Sequence, residues 1–154
     1  QVSNRQSNYH GLRYRFPINI ECFNPGATFQ VSADLKMVDS TGNDAPCLIT
    51  QVNNNREDAC PAVRIDLRDT SDKRFMSKYL RGYAAAWDPT SFNSFVATFS
   101  VPQKDDSQNP WNGVLKSINV AVVGFKTDYS LILDNLSIKE LSGGQSNFEQ
   151  KDGH

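Results

Sequence analysis

The chain reads as an all-β domain, a jelly-roll β-sandwich of two antiparallel sheets, for three reasons. Apolar and polar residues alternate with a period of two along several separate stretches. Clusters of Gly, Pro, Asn, Asp and Ser divide those stretches at short intervals. The length of 154 residues suits one domain that buries about 68–70% of the surface its unfolded chain exposes.

Taken in order, residues 1–9 are polar and aperiodic and are expected to be a flexible N-terminal segment. Leu12, Tyr14, Phe16, Ile18, Ile20 and Cys22 then alternate with Arg13, Arg15, Pro17, Asn19 and Glu21, which predicts a strand. Pro17 has no N–H to give a ladder, so this strand lies on an edge or bends there. Asn24-Pro25-Gly26 is a turn, because proline presets φ and glycine admits φ > 0. Phe29, Val31, Ala33, Leu35 and Met37 form the next apolar phase, with Gln30, Ser32, Asp34 and Lys36 between them. A polar turn over 39–44 precedes a short strand expected at 47–52. Val63, Ile65 and Leu67 alternate with Arg64, Asp66 and Arg68, and strands follow at 92–101, 115–125 and 129–141. The sandwich therefore spans 10–141. The tail 142–154 has linker composition, which points to one module of a longer protein.

A different period marks one stretch. Phe75, Tyr79, Tyr83 and Trp87 recur every four residues, and Ala84-Ala85-Ala86 favours helix, so a short helix or an irregular strand is expected near 75–87. Gly82 weakens the helix and Pro89 would end it.

Composition excludes several function classes. The formal net charge is −1, without the basic excess of a nucleic-acid binder. No apolar run approaches the roughly 20 residues that span a bilayer. Two histidines, three cysteines and the absence of any C-x-x-C leave little for a zinc site or a nucleophilic triad. No Glu-x-Asp-x-Glu pattern supplies a glycosidase's paired carboxylates, so the chain is read as non-catalytic. Cys47 and Cys60 flank a polar segment that could double back, and are read as a disulfide of a secreted, extracellular protein. Two buried thiols in a reducing compartment are the alternative.

What remains is a polar face with aromatic neighbours. Arg13, Arg15, Gln30, Asp34, Arg64, Asp66 and Arg68 all fall on the non-core phase of their strands. Arginine forks and carboxylates engage vicinal hydroxyls or uronate groups through paired hydrogen bonds. A solvated face laced with cross-strand ion pairs is the competing reading. Every arginine lies at or before Arg81, giving +2 over residues 1–83 and −3 over the rest, which favours an acidic or sulfated ligand near the arginine-bearing strands. Sugar rings stack on aromatic faces. Trp111 sits in the polar loop Gln108-Asn109-Pro110-Trp111-Asn112-Gly113, which should expose it, and Tyr79 and Tyr83 are further contacts. Trp87 and Tyr14 are expected in the core.

The stretches Asn24-Pro25-Gly26-Ala27-Thr28-Phe29, Trp87-Asp88-Pro89-Thr90, Phe95-Val96-Ala97-Thr98-Phe99-Ser100-Val101-Pro102 and Leu131-Ile132-Leu133-Asp134-Asn135-Leu136-Ser137-Ile138 occur in an order that resembles the carbohydrate-binding modules of the four-and-nine type, which are galactose-binding-domain-like jelly rolls. The likeness covers about residues 24–141. It implies a non-catalytic module holding a polysaccharide or oligosaccharide in a concave groove, and a structural calcium ion at Asp134. The asparagine-rich start that helps hold this ion in the family is not recognisable here, and Glu21 is its nearest substitute. The resulting expectation is a module for a cell-wall or storage polysaccharide, with no nucleic-acid or membrane partner. The alternative is a protein-interaction or adhesion domain on the same scaffold.

Overall fold

The computed structural model describes residues 11–17, 24–49 and 59–142. Seven strands follow in chain order: β1 (Leu12–Pro17), β2 (Thr28–Val38), β3 (Ala62–Asp69), β4 (Arg74–Leu80), β5 (Asn93–Ser100), β6 (Leu115–Val123) and β7 (Ser130–Ser142). They make an antiparallel sandwich, with one sheet ordered β1-β6-β3-β4 and the other β5-β2-β7. Only β3 and β4 follow one another within a sheet. Every other step between these strands passes from one sheet to the other.

The core follows from the alternation. Phe29, Val31, Ala33, Leu35 and Met37 of β2 are buried, and the residues between them are only partly so. They join Val63, Ile65 and Leu67 of β3 and Ile118, Val120 and Val122 of β6 in one apolar cluster. Each large side chain of this kind contributes about 1.5–3 kcal/mol on burial. The expected edge strand is β1, which pairs only with β6 and ends at Pro17. The expectations for residues 1–9, 18–22 and 50–52 and for the tail beyond 142 lie outside the described residues. Leu48 makes a single bridge to Ala59.

The helix expected near 75–87 does not form. Residues 74–80 are the extended strand β4, so Phe75 and Tyr79 belong to a pleated ladder. Phe75 lies at a register shift and turns into the core, while Tyr79 faces outward opposite Arg64. Beyond β4 the chain runs against β5, where Val96 N–H donates to the Gly82 carbonyl at 3.0 Å. A Cβ on Gly82 would lie 2.8 Å from the Phe95 ring and from the Val96 oxygen, so only glycine permits this approach. Tyr83 then packs edge-on against both Phe95 and Trp87. The fourfold recurrence of aromatics thus serves three different environments.

Aspartates organise the turns. Asp39 Oδ1 accepts from the Thr41 amide and hydroxyl and the Asn43 amide. Asp88 Oδ1 accepts from the Thr90 amide and hydroxyl. Asp69, only 1% exposed, does more. Its Oδ1 accepts from the Ser71 amide at 3.0 Å, the Ser71 hydroxyl at 2.6 Å and the Lys73 amide at 3.0 Å, and its Oδ2 from the Asn112 amide at 3.3 Å. One carboxylate therefore shapes the β3–β4 turn and fastens it to the loop before β6. Cys47 and Cys60 are bonded as a disulfide, with Cα atoms 4.9 Å apart. In the chain-entropy model such a closure contributes about 3 kcal/mol.

Replacing Asp69 by Ala strands several donors at once and is expected to cost about 2–3 kcal/mol in urea unfolding. The pH dependence has a definite sign. Burial pushes the Asp69 carboxyl up, but the Ser71 hydroxyl and the Lys73, Asn112 and Ser71 amides outweigh it and hold the group below its ordinary 3.8. A carboxylate depressed on folding stabilises fully above the unfolded value and loses that contribution as pH falls through the folded one. Wild type should therefore lose stability below about pH 4 more steeply than the Asp69→Ala variant. Parallel losses in acid melts would remove Asp69 as a source.

Candidate functional site

The outer face of the β1-β6-β3-β4 sheet carries a cavity of about 620 Å³. Its floor is the central strand β6, where Ser117, Asn119 and Ala121 occupy the outward phase while Ile118, Val120 and Val122 fill the core. Its banks are the neighbouring strands. The pairing register aligns Arg13, Ala121, Arg64 and Tyr79 in one row across the sheet. Arg15, Asn119, Asp66 and Ser77 make the next row. Ser117 and Arg68 lie in a third, with Arg74 opposite Arg68. Short side chains between long ones make the trough.

Polar contacts within the trough are sparse. Arg64 Nη2 lies 3.1 Å from Asp66 Oδ2, with the two side chains 14% and 12% exposed. Among the described residues, Arg64 Nε and Asp66 Oδ1 are buried without any hydrogen-bond partner. A buried polar atom left unpaired costs about 1–3 kcal/mol. The Arg64 guanidinium also stands 6.0 Å from the centre of the Tyr79 ring. Arg15 Nη2 donates to the Ser117 hydroxyl at 3.4 Å, and Arg68 Nη1 to the Asp72 carbonyl at 2.8 Å. Lys116 bonds the Asp72 carboxylate at 3.1 Å from outside the trough and, with its charge, holds that carboxyl below the usual range; Arg68 and Arg15 add to the effect.

Of the residues singled out from the sequence, Arg13, Arg15, Arg64, Asp66 and Arg68 do share this trough, and Tyr79 borders it. Gln30 and Asp34 do not. They lie on β2, on the outward phase of the other sheet, because alternation separates inside from outside but does not say which sheet a strand joins. Trp111 is not an exposed platform. It is 6% exposed, stacks on Phe75 with centroids 4.3 Å apart, and its indole N–H donates to the Pro102 and Gln103 carbonyls. Its polar loop folds over the end of the core and carries the ring inward. Tyr83 is also taken up internally, with its hydroxyl donating to the Pro61 carbonyl at 2.7 Å and burial pushing its phenol well above the ordinary value. Tyr14, expected inside, is 39% exposed and lines the trough, since an edge strand has a neighbour on one side only. Asn119, Asp72 and Arg74 complete the lining without having been anticipated. Asn119 could have been found from the polar phase of 115–125; Asp72 and Arg74 arrive through the β3–β4 turn and left no periodic trace.

Asp134, expected at a metal, lies on the other sheet. Asp134 is exposed on β7 opposite Asp34, and its Oδ1 accepts from the Asn135 amide at 2.8 Å. Asn135 in turn donates to Asp34 Oδ2 at 2.8 Å. Among the described residues no three His, Cys, Asp or Glu side chains converge. Glu21 lies outside the described residues. Comparison with protein-family models and with curated protein sequences returns no match.

The new placement of Trp111 reverses its expected behaviour on substitution. Trp111→Ala should lower unfolding free energy by about 3–5 kcal/mol, as large aromatic deletions in cores do. A variant that keeps wild-type stability in urea would mean that the ring is not part of the core.

Proposed function

We propose that this domain is a non-catalytic carbohydrate-binding module that holds a polysaccharide chain along the trough of the β1-β6-β3-β4 sheet. The observation that carries the reading is the orphaned pair on its β3 bank, Arg64 Nε and Asp66 Oδ1. A sugar hydroxyl both donates and accepts, so one such group answers a buried acceptor and a buried donor together. The Tyr79 ring beside it offers an apolar face to a pyranose, and the open trough suits a long chain better than a small molecule. The resemblance to modules of the four-and-nine type supports the same assignment.

The state of the carboxylates supports binding rather than hydrolysis. A glycosidase needs an acid whose pKa is raised, facing a second carboxylate. In the trough Asp72 is held in its charged form by Lys116. The disulfide is at home in an oxidising compartment, and no described helix is long and apolar enough to cross a membrane. We place the domain outside the cell.

Binding to immobilised polysaccharides tests the assignment directly. Tyr79→Ala should weaken retention by several-fold, about 1 kcal/mol, while Tyr79→Phe keeps most of it. Failure of the wild type to bind any polysaccharide would end the reading. A structural calcium at Asp134 and Glu21 belongs to the same proposal, and chelation should then lower the melting temperature. An unchanged melt in EDTA would remove the ion from the fold.

A further inference from the structure

The distribution of cations on the two faces is one-sided. The described residues contain six arginines, and five of them, Arg13, Arg15, Arg64, Arg68 and Arg74, line the trough. None of the seven described lysines does. The strands of the other sheet contain no arginine at all. A surface that needed only solubility would mix both residue types over both faces. The selection of arginine alone points to a partner that rewards a planar fork, because a guanidinium meets a carboxylate or sulfate with two parallel hydrogen bonds and an ammonium cannot.

The trough is also under-neutralised. Its lining includes two carboxylates, Asp66 and Asp72, against five guanidinium groups. Asp66 is engaged by Arg64, and Asp72 by Lys116. Among the described residues Arg13, Arg15, Arg68 and Arg74 form no ion pair. Arg13 and Arg15 stand on the β1 bank, and Arg64, Asp66 and Arg68 on the β3 bank with Arg74 opposite Arg68 on β4, so the orphaned Arg64 and Asp66 atoms belong to the same bank as Arg68. Like charges held this close repel unless an anion enters. The orphaned atoms on β3 call for a hydroxyl, and the guanidinium groups without an ion pair on both banks call for negative charge.

Resting on the carbohydrate-binding reading, we propose that the ligand is an anionic polysaccharide. Its hydroxyls bridge Arg64 and Asp66, and its carboxylate or sulfate groups lie in the forks of Arg13, Arg15, Arg68 and Arg74. Successive charged residues along one sugar chain match two banks of arginine better than a single small anion would.

Affinity electrophoresis of the whole chain separates the possibilities. The gels contain alginate or polygalacturonate as carboxylate polymers, carrageenan as the sulfate polymer, and laminarin or xylan as neutral ones. Retention by carboxylate or sulfate polymers at least about tenfold tighter than by neutral ones is expected, weakening as salt is raised. The carboxylate and sulfate gels identify which group supplies the charge. The double variant Arg15→Gln, Arg68→Gln should lose about tenfold or more of that retention with an unchanged melting temperature. Arg68→Lys, which keeps the charge and loses the fork, should lose part of it. Equal retention by neutral polymers, or an unaffected double variant, would overturn the anionic ligand and leave the carbohydrate assignment standing. Retention by none would overturn both. Equal competition by duplex DNA would overturn it as well, reducing the trough to an unselective cationic surface.

Discussion

The pleat of β3 and β6, locked from one side by the core, is the constraint on which the trough depends. Ile65, Leu67, Ile118, Val120 and Val122 are all fully or nearly fully buried, and each fixes the orientation of its neighbours in the chain. A slip of one residue would turn those side chains into water and drive arginines into hydrocarbon. The energy that holds Arg64, Asp66 and Arg68 in one outward column is therefore not supplied by those residues. It comes from the opposite face of the same strands. Charged groups can then be gathered without mutual neutralisation, because the apolar core offsets their repulsion.

Small residues on β6 do the complementary work. Ser117 and Ala121 are nearly inaccessible although they face outward, Ala121 between Arg13 and Arg64 and Ser117 beside Arg68 and bonded by Arg15. Larger residues there would fill the depression and leave a flat charged sheet. The lip of the trough beyond Arg68 depends on Asp69, whose carboxylate shapes the turn that carries Asp72 and Arg74. Position in the site and stability of the turn are thus set by the same hydrogen bonds.

Much of this architecture is legible in the chain before any coordinates. Period-two alternation identifies β2, β3, β5, β6 and β7, Pro17 identifies an edge, and the phase of Arg13, Arg15, Arg64, Asp66 and Arg68 identifies an outward column. Three features are not legible, for physical reasons. Phase is a property of one strand, whereas membership of a sheet is set by long-range pairing, so Gln30 and Asp34 could not be separated from the arginines. Polarity of the neighbours does not expose Trp111, because the loop satisfies its own backbone groups while the ring stacks on Phe75. The fourfold spacing of aromatics from Phe75 to Trp87 imitates a helix, but the strand pairing of β4 and the close passage at Gly82 decide otherwise.

One bank of the trough differs from the other in how it is held. β3 has hydrogen-bonded neighbours on both sides, whereas among the described residues β1 (Leu12–Pro17) is joined to β6 alone. A short outer strand separates from its sheet at a far smaller free energy than a central one. Arg13 and Arg15 therefore stand on the less tightly held bank, and Arg64 and Arg68 on the more tightly held one. Any widening of the trough on the β1 side is opposed by Leu12 and Phe16, which pack from β1 against the core, so the width of the trough is set by two side chains on the strand's inner face.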